Sequence, residues 1–562
     1  MPYIEKENYN KVRQMKYTKF LLKTVLLFST IFVLNVNLGI AQGKGKVLYD
    51  QPILMADRVS LSTDIYLPPG DGPFPSILLR TPYNKKGAKK DCEWFQSKGF
   101  AVVTQDCRGK YNSQGKFYAW INEREDGIET VKWIKAQKWS NGKIGGWGGS
   151  YVGYTQWAIS DCLDVITPLV TGANVYDLIY PAGLFSLGLS FSWGLIVDAQ
   201  QTNNVMPQQM QKAYSILPLS AAAEKTIGKK SQYIEDWLKH SKYDGYWQKQ
   251  NHRGIAQGDV ISVAGWYDIF LLDQLADFEA LPQNEADRRL IILPLSHGKP
   301  TLEVDYGGPE RMGDVIGISR KFMLKELTHK DIQVFTAPFY DKKYNLFIMG
   351  RNEYYGADHW PPRAVKYVDY YPASDGTLKT DIPQKNDSLS YRYDPLDPYP
   401  NLGGTAIGDG AGTALQNSNV KRKDQVFFES QTLDKPLVLL GPLNATLYVK
   451  SDVPNTDFYV CLQDVDKEGR IVNIQEGGAS AAFGKSVVKE LKVNIWATGY
   501  QLNPGHKLRA VICSSWFPRY NRNLNLGESI YSAKKSRVAL QKIYFGSRYP
   551  SHIILPLIEL KN

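Results

Sequence analysis

The chain has 562 residues, 43% hydrophobic and 22% charged, enough apolar material for sizeable cores but too much length for one domain. Its formal charge is +11, of which +4 falls in residues 1–41, and the remaining +7 is scattered without a basic run, which argues against a nucleic-acid-binding protein. Five cysteines with no CxxC pair argue against a zinc site and against a disulfide framework; one bridge in an oxidising compartment and five free thiols both fit the pattern.

In chain order, a basic opening from Met15 to Phe20 precedes a stretch from Thr24 to Gln42 without a charge. Its apolar part has the length of a signal-peptide core, and Gly39-Ile40-Ala41 places small residues before a cut at Gln42. Residues 1–41 are therefore expected to be a signal peptide, with the true start at Met1 or Met15. Polar Asn35 and Asn37 near its end favour cleavage over a retained anchor. No later stretch reaches transmembrane length, so export to the periplasm or beyond is expected, with no stable membrane insertion after cleavage.

Residues 59–67 alternate with period two and predict a half-solvated strand. Residues 76–80 and 101–105 are short continuous apolar runs, the mark of strands buried on both faces. Between them 92–99 reads as a helix closed by glycine; 126–138 is amphipathic, and 144–148 ends a further strand. Strands alternating with helices predict a mostly parallel sheet. From 174 to 259 Leu, Ala, Gln and Trp dominate and helices are predicted, a helical cap inserted into the sheet. Strand signals return at 260–264 and 290–294. Past about Asp341 short strands separated by Gly, Pro, Asn and Asp predict a sandwich or jelly roll. The expected layout is an α/β-hydrolase domain in two parts, 42–174 and 260–345, a cap at 175–259, and an all-β jelly-roll domain at 346–562.

The segment Gly146-Trp147-Gly148-Gly149-Ser150-Tyr151-Val152-Gly153 lies between a predicted strand and a predicted helix. A serine hydroxyl becomes nucleophilic on a tight turn, beside a base and over backbone donors, and flanking glycines permit such a turn. The downstream glycine stands at +3 rather than +2, so the common G-x-S-x-G form is not met, and a Gly-Ser turn alone is more often structural. The order of partners decides. Asp268 follows the strand ending at Ala264, and His297 follows the strand ending at Leu293, giving the Ser, Asp, His order of α/β-hydrolases, each on a loop after a strand. Of the seven histidines only His297 directly follows a strongly apolar run.

The chain resembles the cocaine-esterase-like (NonD) hydrolases, related to X-prolyl dipeptidyl peptidases and α-amino acid ester hydrolases, over essentially its whole mature length. The blocks that carry the resemblance are Arg80-Thr81-Pro82-Tyr83, Asp106-Cys107-Arg108-Gly109, the Ser150 turn, Gly265-Trp266-Tyr267-Asp268 and Ser296-His297-Gly298. Tyr393-Asp394-Pro395-Leu396-Asp397-Pro398 and Ser514-Ser515-Trp516-Phe517-Pro518-Arg519 carry it in the tail. G-x-S-Y-x-G is itself the family's form. The resemblance implies Ser150 as nucleophile, His297 as proton shuttle, Asp268 as its orienting acid, and an oxyanion hole of the Tyr151 backbone N–H and the Tyr83 hydroxyl. It implies no metal and no cofactor.

Asp106 and Arg108 are expected to form a structural ion pair. Asp394, Asp397 and Asp464 match no calcium loop and are expected at turns and interfaces. Related α-amino acid ester hydrolases place extra carboxylates beside the catalytic Asp. Here Ile269-Phe270-Leu271-Leu272 forms an apolar wall there, with Asp273 further along, so an uncharged acyl group is expected. The expected activity is hydrolysis of small carboxylic esters or amides through an acyl-serine. The alternatives are an X-prolyl dipeptidyl peptidase or β-lactam acylase and, outside enzymes, a carbohydrate-binding surface protein.

Overall fold

The computed structural model describes residues 45–199, 207–298, 304–306, 308–408, 410–484 and 487–560; the expected signal peptide lies outside them. Among the described residues one sheet carries β1 (Lys46–Leu54), β2 (Ser60–Leu67), β3 (Phe74–Thr81), β4 (Ala101–Asp106), β5 (Ser140–Gly149), β6 (Val165–Leu169), β7 (Asp259–Tyr267), β8 (Arg288–Ser296), β9 (Tyr344–Ile348) and β10 (Glu353–Ala357). Their spatial order is 1-2-4-3-5-6-7-8-9-10. From β4 to β9 every neighbour is parallel, and β1, β2 and β10 join antiparallel at the two edges. The central strands are buried along nearly their whole length because helices cover both faces, as the continuous apolar runs demand. The sheet runs to Ala357, so the expected boundary at 345/346 falls inside β9.

One expectation about the sheet fails. β2 is not half-solvated: Leu61 to Tyr66 are all buried. Its polar positions face an ionic cluster in which Lys85, Asp64 and Asp106 are buried and Asp50 is exposed. Ser62 Oγ donates to Asp50 at 2.7 Å, and Lys85 Nζ lies 3.2 Å from Asp64, 2.6 Å from Asp50 and 3.7 Å from Asp106. Period-two polarity cannot distinguish a wet face from one satisfied by ion pairs.

Helices α1 (Lys89–Ser97), α2 (Glu123–Lys135) and α3 (Tyr151–Trp157) follow strands of the sheet's first half. Between β6 and β7 lie α4 (Val175–Ile179), α5 (Leu187–Ala199), α6 (Pro207–Ser215), α7 (Ala222–Ile227), α8 (Gln232–Lys239) and α9 (Gly245–Gln248). In α8 the i, i+1, i+4, i+5 set Tyr233, Ile234, Trp237 and Leu238 is buried, a one-sided stripe. It packs with Trp120, Tyr151 and Tyr154 in a second hydrophobic cluster, separate from the main core. α10 (Leu271–Glu279) follows β7, and α11 (Gly308–Thr328) leads to β9.

The C-terminal region is all β. Strands Gln425–Glu429, Lys507–Cys513, Asn455–Val465 and Ile471–Ala482 form one sheet in that order. A second sheet is built around Leu437–Ser451, which pairs with Lys489–Leu502, Ala539–Phe545 and His552–Leu557. Ala445, Leu447 and Val449 point inward at period two while their neighbours are half-buried.

Candidate active site

β5 ends in Gly148-Gly149, and the chain turns at Ser150 with φ 55° and ψ −129° directly into α3. A positive φ at a residue with a Cβ is strained and persists only where the surroundings fix it. Here they do. Ser150 N–H donates to Leu169 O at 2.9 Å, and Ser150 O accepts from Thr171 Oγ1 at 2.7 Å and from the N–H groups of Gly153 and Tyr154 at 2.9 and 3.1 Å. The glycine at +3 has a physical reason. A Cβ on Gly153 would sit 2.3 Å from Thr171 Cγ2, on the loop after β6. Gly148 has φ +130°, and a Cβ there would meet Val152 Cγ1 at 2.5 Å, so the valine at +2 packs where the common motif has glycine.

β7 and β8 are parallel neighbours, and their register pairs Tyr267 with Ser296. The first residues past the two strand ends are therefore Asp268 and His297. His297 Nδ1 lies 2.9 Å from Asp268 Oδ2, and its Nε2 lies 3.0 Å from Ser150 Oγ. Asp268 is fully buried, and its Oδ1 accepts the Phe270 N–H at 2.9 Å, which fixes the carboxylate plane. From the C-terminal region Gly408 N–H donates to His297 O at 3.0 Å, and Ile407 pairs with His297 in a parallel bridge.

Tyr151 opens α3, so its backbone N–H belongs to a helix N-terminus adjoining Ser150. Its side chain is anchored through both bonds of its hydroxyl: Tyr151 Oη donates to Glu123 Oε1 at 2.8 Å and accepts the Trp120 N–H at 2.8 Å. Glu123 Oε2 in turn lies 3.0 Å from Arg80 Nη2, both side chains almost wholly buried. Tyr83 lies on the loop after β3, where its N–H donates to Thr81 Oγ1 at 3.0 Å. Its hydroxyl accepts Trp193 Nε1–H at 2.7 Å and interacts with the Ser150 side chain. Burial pushes the phenol up to about 12, against the hydrogen bonds to Trp193 and Ser150, so it stays protonated at neutral pH.

Ser150, His297 and Tyr83 border a narrow cleft. Val175, Leu178 and Leu189 from the cap, Ile269 and Phe270 after β7, and Ile407 from the C-terminal region give it apolar walls. Asp273 in α10 and Trp193 in α5 also line it. Asp273 is buried; Oδ1 accepts Arg253 Nη2–H at 2.6 Å, and Oδ2 has no hydrogen-bond partner among the described residues. Arg253 also meets Asp277 at 2.7 Å and Asp177 at 2.8 Å, so three carboxylates share one guanidinium. Burial, then the neighbouring carboxylates Asp277 and Asp177, raise the Asp273 carboxyl well above its ordinary range.

Other expectations resolve as follows. Asp106 and Arg108 do not pair with each other. Asp106 Oδ1 accepts the Lys85 N–H at 2.7 Å, whereas Arg108, two residues on and in the turn past the end of β4, bridges Asp57 at 2.5 Å and Asp126 at 3.0 Å. Asp394 Oδ1 accepts the Leu396 N–H, Asp397 faces Arg422, and Asp464 faces His506 and Tyr500. The five cysteines are unbridged. Sequence reasoning did not find Trp193, Ile407 or Glu123. Trp193 and Ile407 stand 110 and 324 positions from Tyr83, with no motif to tie them to it. For Glu123, a carboxylate opposite the arginine of a buried strand was a usable signal.

Residues 57–299 match the family model of the X-Pro dipeptidyl-peptidase (S15 family), and 341–554 match that of the X-Pro dipeptidyl-peptidase C-terminal non-catalytic domain. The chain is 30% identical to the cocaine esterase of Rhodococcus sp. (strain MB1 Bresler), over 92% of this chain and 99% of that protein. In fold it is similar to an aminopeptidase from a marine sediment archaeon, Thaumarchaeota archaeon, with TM-score 0.78, 20% identity, and 94% and 99% of the two chains covered. It is likewise similar to an α-amino acid ester hydrolase, with TM-score 0.76, 20% identity and the same coverage. No helix among the described residues is long and apolar enough to cross a membrane. With an S15-type hydrolase region, a C-terminal domain of the same kind and end-to-end likeness to cocaine esterase, the chain belongs to the cocaine-esterase family of α/β-fold serine hydrolases, acting on small esters or peptides.

Proposed function

We propose that the chain is an exported carboxylic ester hydrolase, with amides as a second substrate class, working through an acyl-serine intermediate on Ser150. The observation that carries the reading is the continuous chain Ser150 Oγ, His297 Nε2, His297 Nδ1, Asp268 Oδ2, at 3.0 and 2.9 Å, ending on a strained turn in a cleft.

Ser150 Oγ attacks the substrate carbonyl while its proton passes to His297 Nε2. Asp268, buried and held by the Phe270 N–H, keeps Nδ1 protonated and stabilises the imidazolium. The Tyr151 N–H and the Tyr83 O–H donate to the oxygen that becomes negative. Collapse breaks the C–O bond, and the leaving alkoxide takes the proton from Nε2. Water then adds to the acyl-serine by the same route, releasing the acid and restoring Ser150. The scheme calls for no metal or organic cofactor. The signal sequence at 1–41 supports export, and the apolar walls from Val175, Leu178, Ile269 and Phe270 favour uncharged acyl groups.

A second reading, hydrolysis of substrates with a free amino group, is favoured by Asp273 alone, whose unpartnered Oδ2 belongs to a cleft-lining residue. The test is fluorophosphonate labelling of residues 42–562, wild type against Ser150→Ala, alongside turnover of p-nitrophenyl acetate, p-nitrophenyl butyrate and aminoacyl p-nitroanilides. Labelling and ester turnover that vanish together in the variant support the ester reading. Labelling with turnover of the aminoacyl substrates alone moves the assignment to the second, and wild-type protein that neither labels nor turns over refutes both.

A further inference from the structure

The cap contributes more to the cleft than a wall. Trp193, in α5, donates its indole N–H to Tyr83 Oη at 2.7 Å across 110 positions of sequence. Indole is a donor only, so the direction of this bond is settled: the phenol oxygen accepts, and its own proton is not used on Trp193. A phenolic O–H lies in the ring plane and has two orientations. A donor on the acceptor side of Oη disfavours one of them and leaves the proton for the other, toward the cleft that Tyr83 and Ser150 both line. The indole is itself fixed. It stacks on Trp120 at 4.7 Å and 13°, on Tyr151 at 5.8 Å and 18°, and on Trp237 of α8 at 6.4 Å and 24°.

We infer that Trp193 is a positioning residue for the oxyanion hole, holding the Tyr83 hydroxyl with its proton directed at the reacting carbonyl oxygen and polarising that O–H. Two donors in series strengthen one another, and the gain is largest where negative charge develops, so it lowers the barrier more than it tightens ground-state binding. The inference rests on the reading of Tyr83 as an oxyanion donor. It adds that the cap supplies part of the catalytic electrostatics, so the oxyanion hole is complete only with α5 in place.

The test replaces the indole without changing its shape. Trp193→3-benzothienylalanine keeps the bicyclic ring and its stacking but puts sulfur where the N–H was. Trp193→Phe is the second variant, and fluorophosphonate titration normalises each preparation to its active sites. The expected result on a p-nitrophenyl ester is a kcat about tenfold lower, with KM within about twofold, the scale of one lost hydrogen bond acting in the transition state. In a Tyr83→Phe background the same replacement should have no further effect on kcat. An equal loss in both backgrounds, a loss confined to KM, or an unchanged kcat with Tyr83 intact would each overturn the inference and leave the oxyanion reading standing. A Tyr83→Phe single variant with wild-type kcat would instead remove the oxyanion reading itself.

Discussion

Gly153→Ala is expected to lower turnover far more than it lowers stability. The Cβ it adds would lie 2.3 Å from Thr171 Cγ2, 2.7 Å from Thr171 Cβ and 3.0 Å from Thr171 Oγ1. Carbon atoms settle at about 3.5 Å, so α3 and the loop after β6 must part by about 1 Å. In a helix Ala gains about 1 kcal/mol over Gly, while overpacking costs about 1–3 kcal/mol, so the net loss is about 0–2 kcal/mol. Catalysis has no such offset. Thr171 Oγ1 holds Ser150 O at 2.7 Å, and the displaced contact is one that sets the Ser150 turn. A misplacement of about 1 Å at a reacting group costs on the order of 100-fold. The assay is kcat on a p-nitrophenyl ester, normalised by fluorophosphonate titration, with a thermal melt on each sample. Thr171→Ser deletes Cγ2 but keeps the hydroxyl, so the double variant should recover part of the lost kcat. Wild-type turnover by Gly153→Ala, or a double variant no better than the single, would refute this account of the glycine at +3.

Glu123→Gln leaves the Arg80 guanidinium buried without its counter-charge, which should cost about 3–5 kcal/mol and lower the urea midpoint accordingly. Asp268→Asn reverses the proton preference at His297 Nδ1, and kcat should fall by about four orders of magnitude with KM little changed, read by ester hydrolysis. Asp457 is buried, which pushes its carboxyl up to about 6 despite hydrogen bonds from Ser480 and Asn523. Between about pH 4 and 6 the native protein therefore keeps a proton the unfolded chain has lost, so this contribution favours folding at the low end and disappears as pH rises through 6. Asp457→Asn should flatten that part of the stability–pH curve, and urea midpoints at pH 4.5, 6 and 7.5 would show it.

What could be read in the sequence was whatever is local or repeats along a strand. Buried parallel strands announce themselves as continuous apolar runs, and a polar residue just past such a run is placed at the sheet's C-terminal edge, which is how Asp268 and His297 came to stand side by side on β7 and β8. The Ser150 turn was legible by its glycines, but the reason for Gly153 was not, because Thr171 is 18 positions away. The same limit hid Trp193 and Ile407. Polarity without an environment misled twice: β2 alternates as a wet strand does yet faces Lys85 and its carboxylates, and Asp106 and Arg108, two positions apart, turn to different partners. The wall after Asp268 was read as apolar from Ile269 and Phe270, and only the helical turn of α10 brings Asp273 to the cleft beside them.

The C-terminal region bears on Asp268 and His297 through one strand, Ile471–Ala482. Gln475 Nε2 donates to Trp266 O at 3.0 Å, and Asn473 O accepts Tyr267 Oη at 3.2 Å, so the last two residues of β7 before Asp268 rest on it. Buried Glu476, on the same strand, accepts the Thr405 N–H at 2.7 Å and the Thr405 hydroxyl at 2.8 Å. Three residues on, Gly408 N–H holds His297 O, and Ile407 reaches the cleft. A hydrogen bond between Asp268 and His297 fixes their separation but not the orientation of the pair towards Ser150, which arrives on β5 from two strands away. That orientation requires contacts to each loop from outside the sheet. A strand already buried on its own sheet is stiff enough to provide them, because displacing it would break its ladder with Asn455–Val465 along its whole length. A domain that contributes no reacting group can therefore still determine whether the reacting groups meet.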